Sequence, residues 1–248
     1  MPALCRCCFL LLLLGCTTPT PREAPPAPAT LPTDTVAAVL PAVERLSDYE
    51  LRMRALGLVD VQTLDPTIQV ELKYSTTDNF VGVDVYGDLD RAYLQPEPAR
   101  RLVEAQRLLR ERRPNLRLLV YDAARPRAVQ QVLWDMLPKP EADKPKYVAD
   151  PQKGSIHNFG AAVDLTIADT TGASLDMGTP YDYFGVPAFP YHEERLLQSG
   201  RLTQAQVDNR RLLREVMRAA GFSPITSEWW HFDAFSRAEA RRRFPIVE

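Results

Sequence analysis

The chain has 248 residues with a formal net charge of −2; 25% of its residues are charged and 45% hydrophobic. That length suits one domain of ordinary size beside short terminal segments, and the near-neutral balance argues against nucleic acid as a partner. All four cysteines (Cys5, Cys7, Cys8, Cys16) fall in the first sixteen residues, which leaves the rest without a disulfide, a thiolate ligand or a cysteine nucleophile.

Residues 1–16 read as a leader. Arg6 supplies a positive start, and Phe9 to Leu14 form an apolar run too short to span a bilayer. Leu13-Leu14-Gly15-Cys16 resembles the end of a bacterial lipoprotein signal, in which Cys16 becomes the lipidated first residue of the mature chain. The alternative is an ordinary secretory signal with an incidental cysteine. The expectation is an exported, periplasmic lipoprotein, tethered to a membrane of the cell envelope by acyl chains that do not cross it. Residues 17–45 are rich in proline, alanine and threonine and read as an extended tether. The folded domain is expected over 46–248.

Within the domain, Thr67 to Tyr74 alternates apolar and polar residues and predicts a half-buried strand. Asn79 to Asp90, rich in glycine and aspartate, predicts a loop. From Pro96 to Arg113 a helical stripe runs through Leu102, Ala105, Leu108 and Leu109, ended by Pro114. Leu116 to Tyr121 predicts a buried strand, and Pro126 opens a helix through Leu137. Pro138 to Lys153 reads as loop, Ala161 to Ile167 as strand, and Thr203 to Ala220 as a helix closed by Gly221. The last strand material lies in Phe222 to Phe232. The arginines at 100–101, 110–113 and 241–243 alternate with Glu104, Glu111 and Glu239 and read as solvated helix faces. Strands and helices mix without a regular βαβ repeat, which favours α+β.

Two short segments carry the chemistry. Ser155-Ile156-His157 runs on to Asp164, and Glu228-Trp229-Trp230-His231 follows about seventy residues later. His157, Asp164 and His231 suit a zinc ion with an open fourth position, and Glu228 suits a base for the water there. Asp164 lies among Ala161, Ala162, Val163 and Leu165, where an uncompensated carboxylate is costly. A metal is the strongest compensator; the alternative is that Asp164 pairs with an arginine and His157 is an ordinary surface histidine. Glu228 and His231 are three apart, so a turn or bulge near the tryptophans is required if both are to reach one ion. Two other readings fail on their motifs. His192-Glu193 begins a helical zinc motif, but Leu196 stands where its second histidine belongs. Ser155 lacks the glycine pattern of a nucleophile elbow.

These segments, with Tyr121-Asp122-Ala123-Ala124-Arg125-Pro126, Lys73 to Phe80 and Met177 to Asp182, resemble the D-alanyl-D-alanine dipeptidase family of zinc peptidases, in order over nearly the whole domain. The resemblance implies an α+β fold with a central antiparallel sheet flanked by helices, and one zinc per chain at the sheet edge. It implies zinc ligands at His157, Asp164 and His231, a general base at Glu228 and an oxyanion-stabilising Arg125. It also implies a dipeptide pocket formed by Tyr74, Tyr86, Ser155 and Asp182, the last holding the substrate's amino end. The substrate implied is a small D,D-dipeptide, with no obligate protein partner. The chain departs from the family in Asp-Ala-Ala before Arg125, and in Leu133 where a pocket-wall phenylalanine is expected. The rivals are a zinc D,D-carboxypeptidase or endopeptidase acting on longer peptidoglycan peptides, and a lipoprotein whose zinc is only structural.

Overall fold

The computed structural model describes residues 45–248. The leader over 1–16, Cys16 and the tether up to residue 44 lie outside the described residues. No helix among those described is long and apolar enough to cross a membrane.

The domain begins with α1 (Asp48–Ala55), started by a capping box between Ser47 and Glu50. Next come β1 (Val59–Asp60), α2 (Val61–Leu64) and β2 (Gln69–Val70). After the loop over 79–90 follow β3 (Tyr93–Leu94), α3 (Pro96–Arg112), β4 (Leu116–Asp122) and α4 (Arg127–Met136). The second half holds β5 (Ala162–Asp169), α5 (Glu193–Gln198), α6 (Gln204–Ala219), β6 (Ser223–Pro224), β7 (His231–Asp233) and α7 (Arg237–Arg243).

A five-stranded sheet runs in the order β2-β4-β5-β7-β6. Its pairs are antiparallel except β2 with β4, which is parallel, so the expected antiparallel sheet is in fact mixed. The chain reaches β4 from β2 through α3, and such a crossover connection permits parallel pairing. Leu118, Val120, Val163, Leu165 and Ile167 are fully enclosed in the middle of the sheet. From α3, Leu102, Ala105 and Leu109 cover it as the stripe predicted, joined by the buried Gln106. Gln106 accepts from the Leu118 amide (2.8 Å) and donates to the Thr67 hydroxyl (3.0 Å), which fixes α3 against β4. Thr203 and Gln206 form a capping box at the start of α6, and Gly221 follows its end at φ +92°.

The predicted strand over Thr67 to Tyr74 shrinks to two residues. Ile68, Leu72 and Tyr74 are buried as the alternation required, but the Glu71 amide makes the last bond to β4 and the chain then coils into a short 3₁₀ turn at Lys73–Ser75. The Tyr74 carbonyl instead accepts from the amides of Val85 and Tyr86, so the 79–90 loop folds back on it.

β4 carries one residue in excess near its end. Val120 faces Leu165 and Asp122 faces Asp164, which leaves Tyr121 as a bulge. On the other side of β5, Asp164 faces His231. Asp122, Asp164 and His231 therefore form one row across three adjacent strands, on one face of the sheet.

Candidate active site

His157 joins this row from outside the sheet. It starts a 3₁₀ turn, His157–Phe159, closed by Gly160 in the left-handed region at φ 62°. That conformation favours glycine, and a side chain at Gly160 would meet Leu58 Cδ2 at 2.7 Å, so Leu58 would have to shift. The buried Asn158 pins the turn: its Oδ1 accepts from the Ser155 amide (2.6 Å) and its Nδ2 donates to the Arg125 carbonyl (2.8 Å).

Each imidazole is held from behind. His157 Nδ1 donates to the Ala123 carbonyl (2.7 Å), and His231 Nε2 donates to Asp233 Oδ1 (2.8 Å). The inner nitrogens then converge with Asp164. His157 Nε2 lies 3.2 Å from His231 Nδ1 and 3.3 Å from Asp164 Oδ1, and His231 Nδ1 lies 2.9 Å from Asp164 Oδ1. Tyr181 donates to the second Asp164 oxygen (2.9 Å). Atoms this close need positive charge between them, a proton on His231 or a metal ion. A tetrahedral zinc with bonds of about 2.0–2.1 Å requires ligand separations of about 3.3 Å; two edges of the triangle match this, and the third, between His231 and Asp164, is shorter at 2.9 Å. These three residues could hold a metal ion, and their N₂O donor set suits zinc.

The electrostatics show that this point of the cleft favours positive charge. Burial opposes charge on His231, yet Asp233 and Asp164 together raise its pKa well above the usual histidine value. Burial likewise opposes the Asp164 carboxylate, but His157 and His231 hold its pKa well below the aspartate range. Glu228 stands where the chain bends at Trp229-Trp230, the turn that its spacing from His231 demanded. Its Oε2 is 3.9 Å from His231 Nδ1. Burial lifts its carboxyl above the ordinary glutamate value, with His231 opposing. The tryptophans brace the neighbouring loop. Trp229 Nε1 donates to the Thr179 hydroxyl (2.8 Å), and Trp230 meets the Tyr181 ring edge-on at 5.5 Å.

Arg125 is buried beside the triangle. Its Nε donates to Asp122 Oδ2 (2.9 Å), its Nη2 bonds the same oxygen, and its Nη1 donates to Gln130 Oε1 (2.9 Å). One N–H on each Nη remains, and Nη2 lies 3.8 Å from Asp164. Burial disfavours the guanidinium charge, but Asp122 outweighs it and the pKa rises. The arginine alternative for Asp164 is thus present only as a long contact; the short pair is with Asp122.

Asp182 sits in the left-handed region at φ 56°, where its carboxylate accepts from the Tyr74 hydroxyl (3.0 Å). Burial, reinforced by the Asp164 charge, pushes its pKa well above the aspartate range. Its loop is gripped by α6, because the buried Arg210 donates to the carbonyls of Met177 (2.6 Å) and Pro187 (2.9 Å). Tyr74, Ser155, Arg125, Asp182, Glu228 and the triangle all line one cleft of about 540 Å³.

Three expectations need correcting or closing. Tyr86 does not line the cleft; its hydroxyl bonds Asp122 Oδ1 from behind, since the 79–90 loop buries the ring. Leu133 is fully buried on the core side of α4 and forms no pocket wall. In the incomplete His192-Glu193 motif, Glu193 is engaged by Arg214 (2.8 and 3.0 Å), and His192 packs on Tyr191. Four contributors were not assigned to the site from sequence: Tyr181, Asp233, Gln130, and Asp122 as a supporting group. Of these, Asp233 had a signal, since two residues beyond His231 on a strand it shares that residue's face.

Two imidazoles and a carboxylate converging in front of a second carboxylate, that of Glu228, place the molecule among the metallopeptidases. The family model described as D-ala-D-ala dipeptidase matches residues 54–247, and the chain belongs to that family. It is 36% identical to a D-alanyl-D-alanine dipeptidase of Escherichia coli K12, over 71% of this chain and 83% of that protein. A D-alanyl-D-alanine dipeptidase of Enterococcus faecalis is 28% identical over 66% of this chain and 85% of its own. The solved LdcB LD-carboxypeptidase overlaps 60% of this chain and 63% of its own at 18% identity, with a TM-score of 0.34.

Proposed function

We propose that this enzyme hydrolyses D-alanyl-D-alanine, with zinc held by His157, Asp164 and His231. The observation that carries the reading is the donor triangle, with edges of 2.9 to 3.3 Å, standing beside the Glu228 carboxylate. Zinc bound there would acidify a water and polarise the peptide carbonyl. Glu228 takes the proton of the attacking water, for which its raised pKa suits it, and returns it to the leaving amine. The two unused N–H groups of Arg125 receive the developing oxyanion, and the Asp122 fork keeps them aimed. Asp182 receives the substrate ammonium, whose positive charge would oppose the burial that raises the Asp182 pKa. Ser155 and Tyr74 complete that pocket.

The leader and Cys16 would place this activity in the cell envelope, where it could salvage dipeptides from peptidoglycan. A second reading, cleavage of longer peptidoglycan peptides, draws on the cleft volume of about 540 Å³, which exceeds what a dipeptide fills. The deciding experiment incubates zinc-loaded protein with D-Ala-D-Ala, L-Ala-L-Ala, N-acetyl-D-Ala-D-Ala and a stem pentapeptide, and scores released alanine. Rapid release from the free D,D-dipeptide alone is the expected result. Preference for the pentapeptide would favour the second reading, and release from none would refute both.

A further inference from the structure

The substrate reading leaves one end of the dipeptide without a partner. Asp182 and Tyr74 suit the ammonium and Arg125 the oxyanion, while the C-terminal carboxylate needs a cation of its own. Arg125 is a poor candidate, because Asp122 already neutralises it and Gln130 takes a third N–H. The other cations lining the cleft are Lys146, Lys153, Arg237 and Arg241. Lys146 is paired with Asp143 (2.6 Å) and Lys153 with Asp150 (3.4 Å).

Arg237 and Arg241 differ from them. They lie one turn apart on α7 and have no carboxylate partner among the described residues. Each is nevertheless held in place: Arg237 donates to the Gly154 carbonyl and Arg241 to the Lys153 carbonyl. Those carbonyls belong to the segment that leads into Ser155 and His157. The cleft thus has an anionic wall at Asp182 and, on α7, a wall of two uncompensated guanidiniums already anchored through one N–H each. A zwitterionic dipeptide matches that distribution of charge, and a guanidinium is suited to hold a carboxylate through two parallel bonds.

We infer that Arg237 and Arg241 bind the substrate's C-terminal carboxylate and make this enzyme selective for a free acid at that end. The inference rests on the dipeptidase reading above. Its test compares D-Ala-D-Ala with D-alanyl-D-alaninamide, in the zinc-loaded wild type and in the double variant Arg237→Gln/Arg241→Gln. In the wild type, kcat/KM for the acid should exceed that for the amide by about tenfold, the low end for a charge-assisted bond because both guanidiniums are exposed. In the double variant that preference should collapse toward unity, chiefly through KM for the acid, and Arg237→Lys/Arg241→Lys should keep part of it. A variant that loses activity equally on both substrates, leaving the preference intact, would overturn the inference. So would a wild type that cleaves acid and amide alike, a result that holds even if the variants fail to fold. A wild type that cleaves no dipeptide at all would instead sink the function reading, and this inference with it.

Discussion

Asp122 and Arg125, three residues apart on the turn out of β4, form a buried ion pair in which one carboxylate oxygen receives two guanidinium nitrogens. The other oxygen takes the Tyr86 hydroxyl and the Ala123 amide. Removing one partner of such a pair leaves an uncompensated charge, so Asp122→Ala should lower unfolding free energy by about 3–5 kcal/mol in urea titrations. Tyr86→Phe should cost about 1–3 kcal/mol and leave KM for the dipeptide within about twofold, because the ring stands behind the cleft and not in it. A large KM effect would return Tyr86 to the pocket.

Glu228→Ala should retain one zinc per chain by elemental analysis and lose about 10²–10⁴-fold in kcat, the usual contribution of a general base. Full turnover in that variant would assign the proton transfer to another group.

Asp233 touches no substrate in this reading, yet it fixes which nitrogen of His231 faces the ion. Asp233→Asn should weaken zinc about 10- to 100-fold, as losses behind a metal ligand do, measured by competition with a chelator. Unchanged affinity would mean that the β7 backbone alone orients the ring.

The buried Asp182 makes stability depend on pH. Its folded pKa lies well above the ordinary value of 3.8, so its contribution to stability is fully present below 3.8 and is lost as pH rises through the folded pKa. In substrate-free protein, Asp182→Asn should therefore gain in Tm relative to the wild type as pH is raised from about 4 to about 8. A constant difference would show that Asp182 is already ionised. The same residue bears on specificity: Asp182→Ala should relax the demand for a free amino terminus, read as faster cleavage of N-acetyl-D-Ala-D-Ala.

The longer elements were legible because their periodicity reflects burial. Leu102, Ala105 and Leu109 marked α3, and Ala161 to Ile167 marked β5 within two residues at either end. In the site, Glu228 and His231 demanded a bend, and the chain bends at the tryptophans between them. What sequence could not show depends on long-range closure. The two-residue strands β1, β2, β3 and β6 exist only through their partners and carry no period. α1, α2, α5 and α7 were too short to announce themselves, although the capping box at Ser47 was present. The position of Tyr86 behind Asp122 follows from how the 79–90 loop folds back on Tyr74, which no local pattern encodes.

The extra residue at Tyr121 has a consequence for how this gene can vary. If β4 instead ran on in plain register past Val120, Tyr121 would face Asp164 and Asp122 would turn to the opposite face of the sheet. Arg125 would be stranded without its counter-ion while the hydrophobic interior stayed nearly intact. Changes that lose this register should therefore yield folded but inert protein.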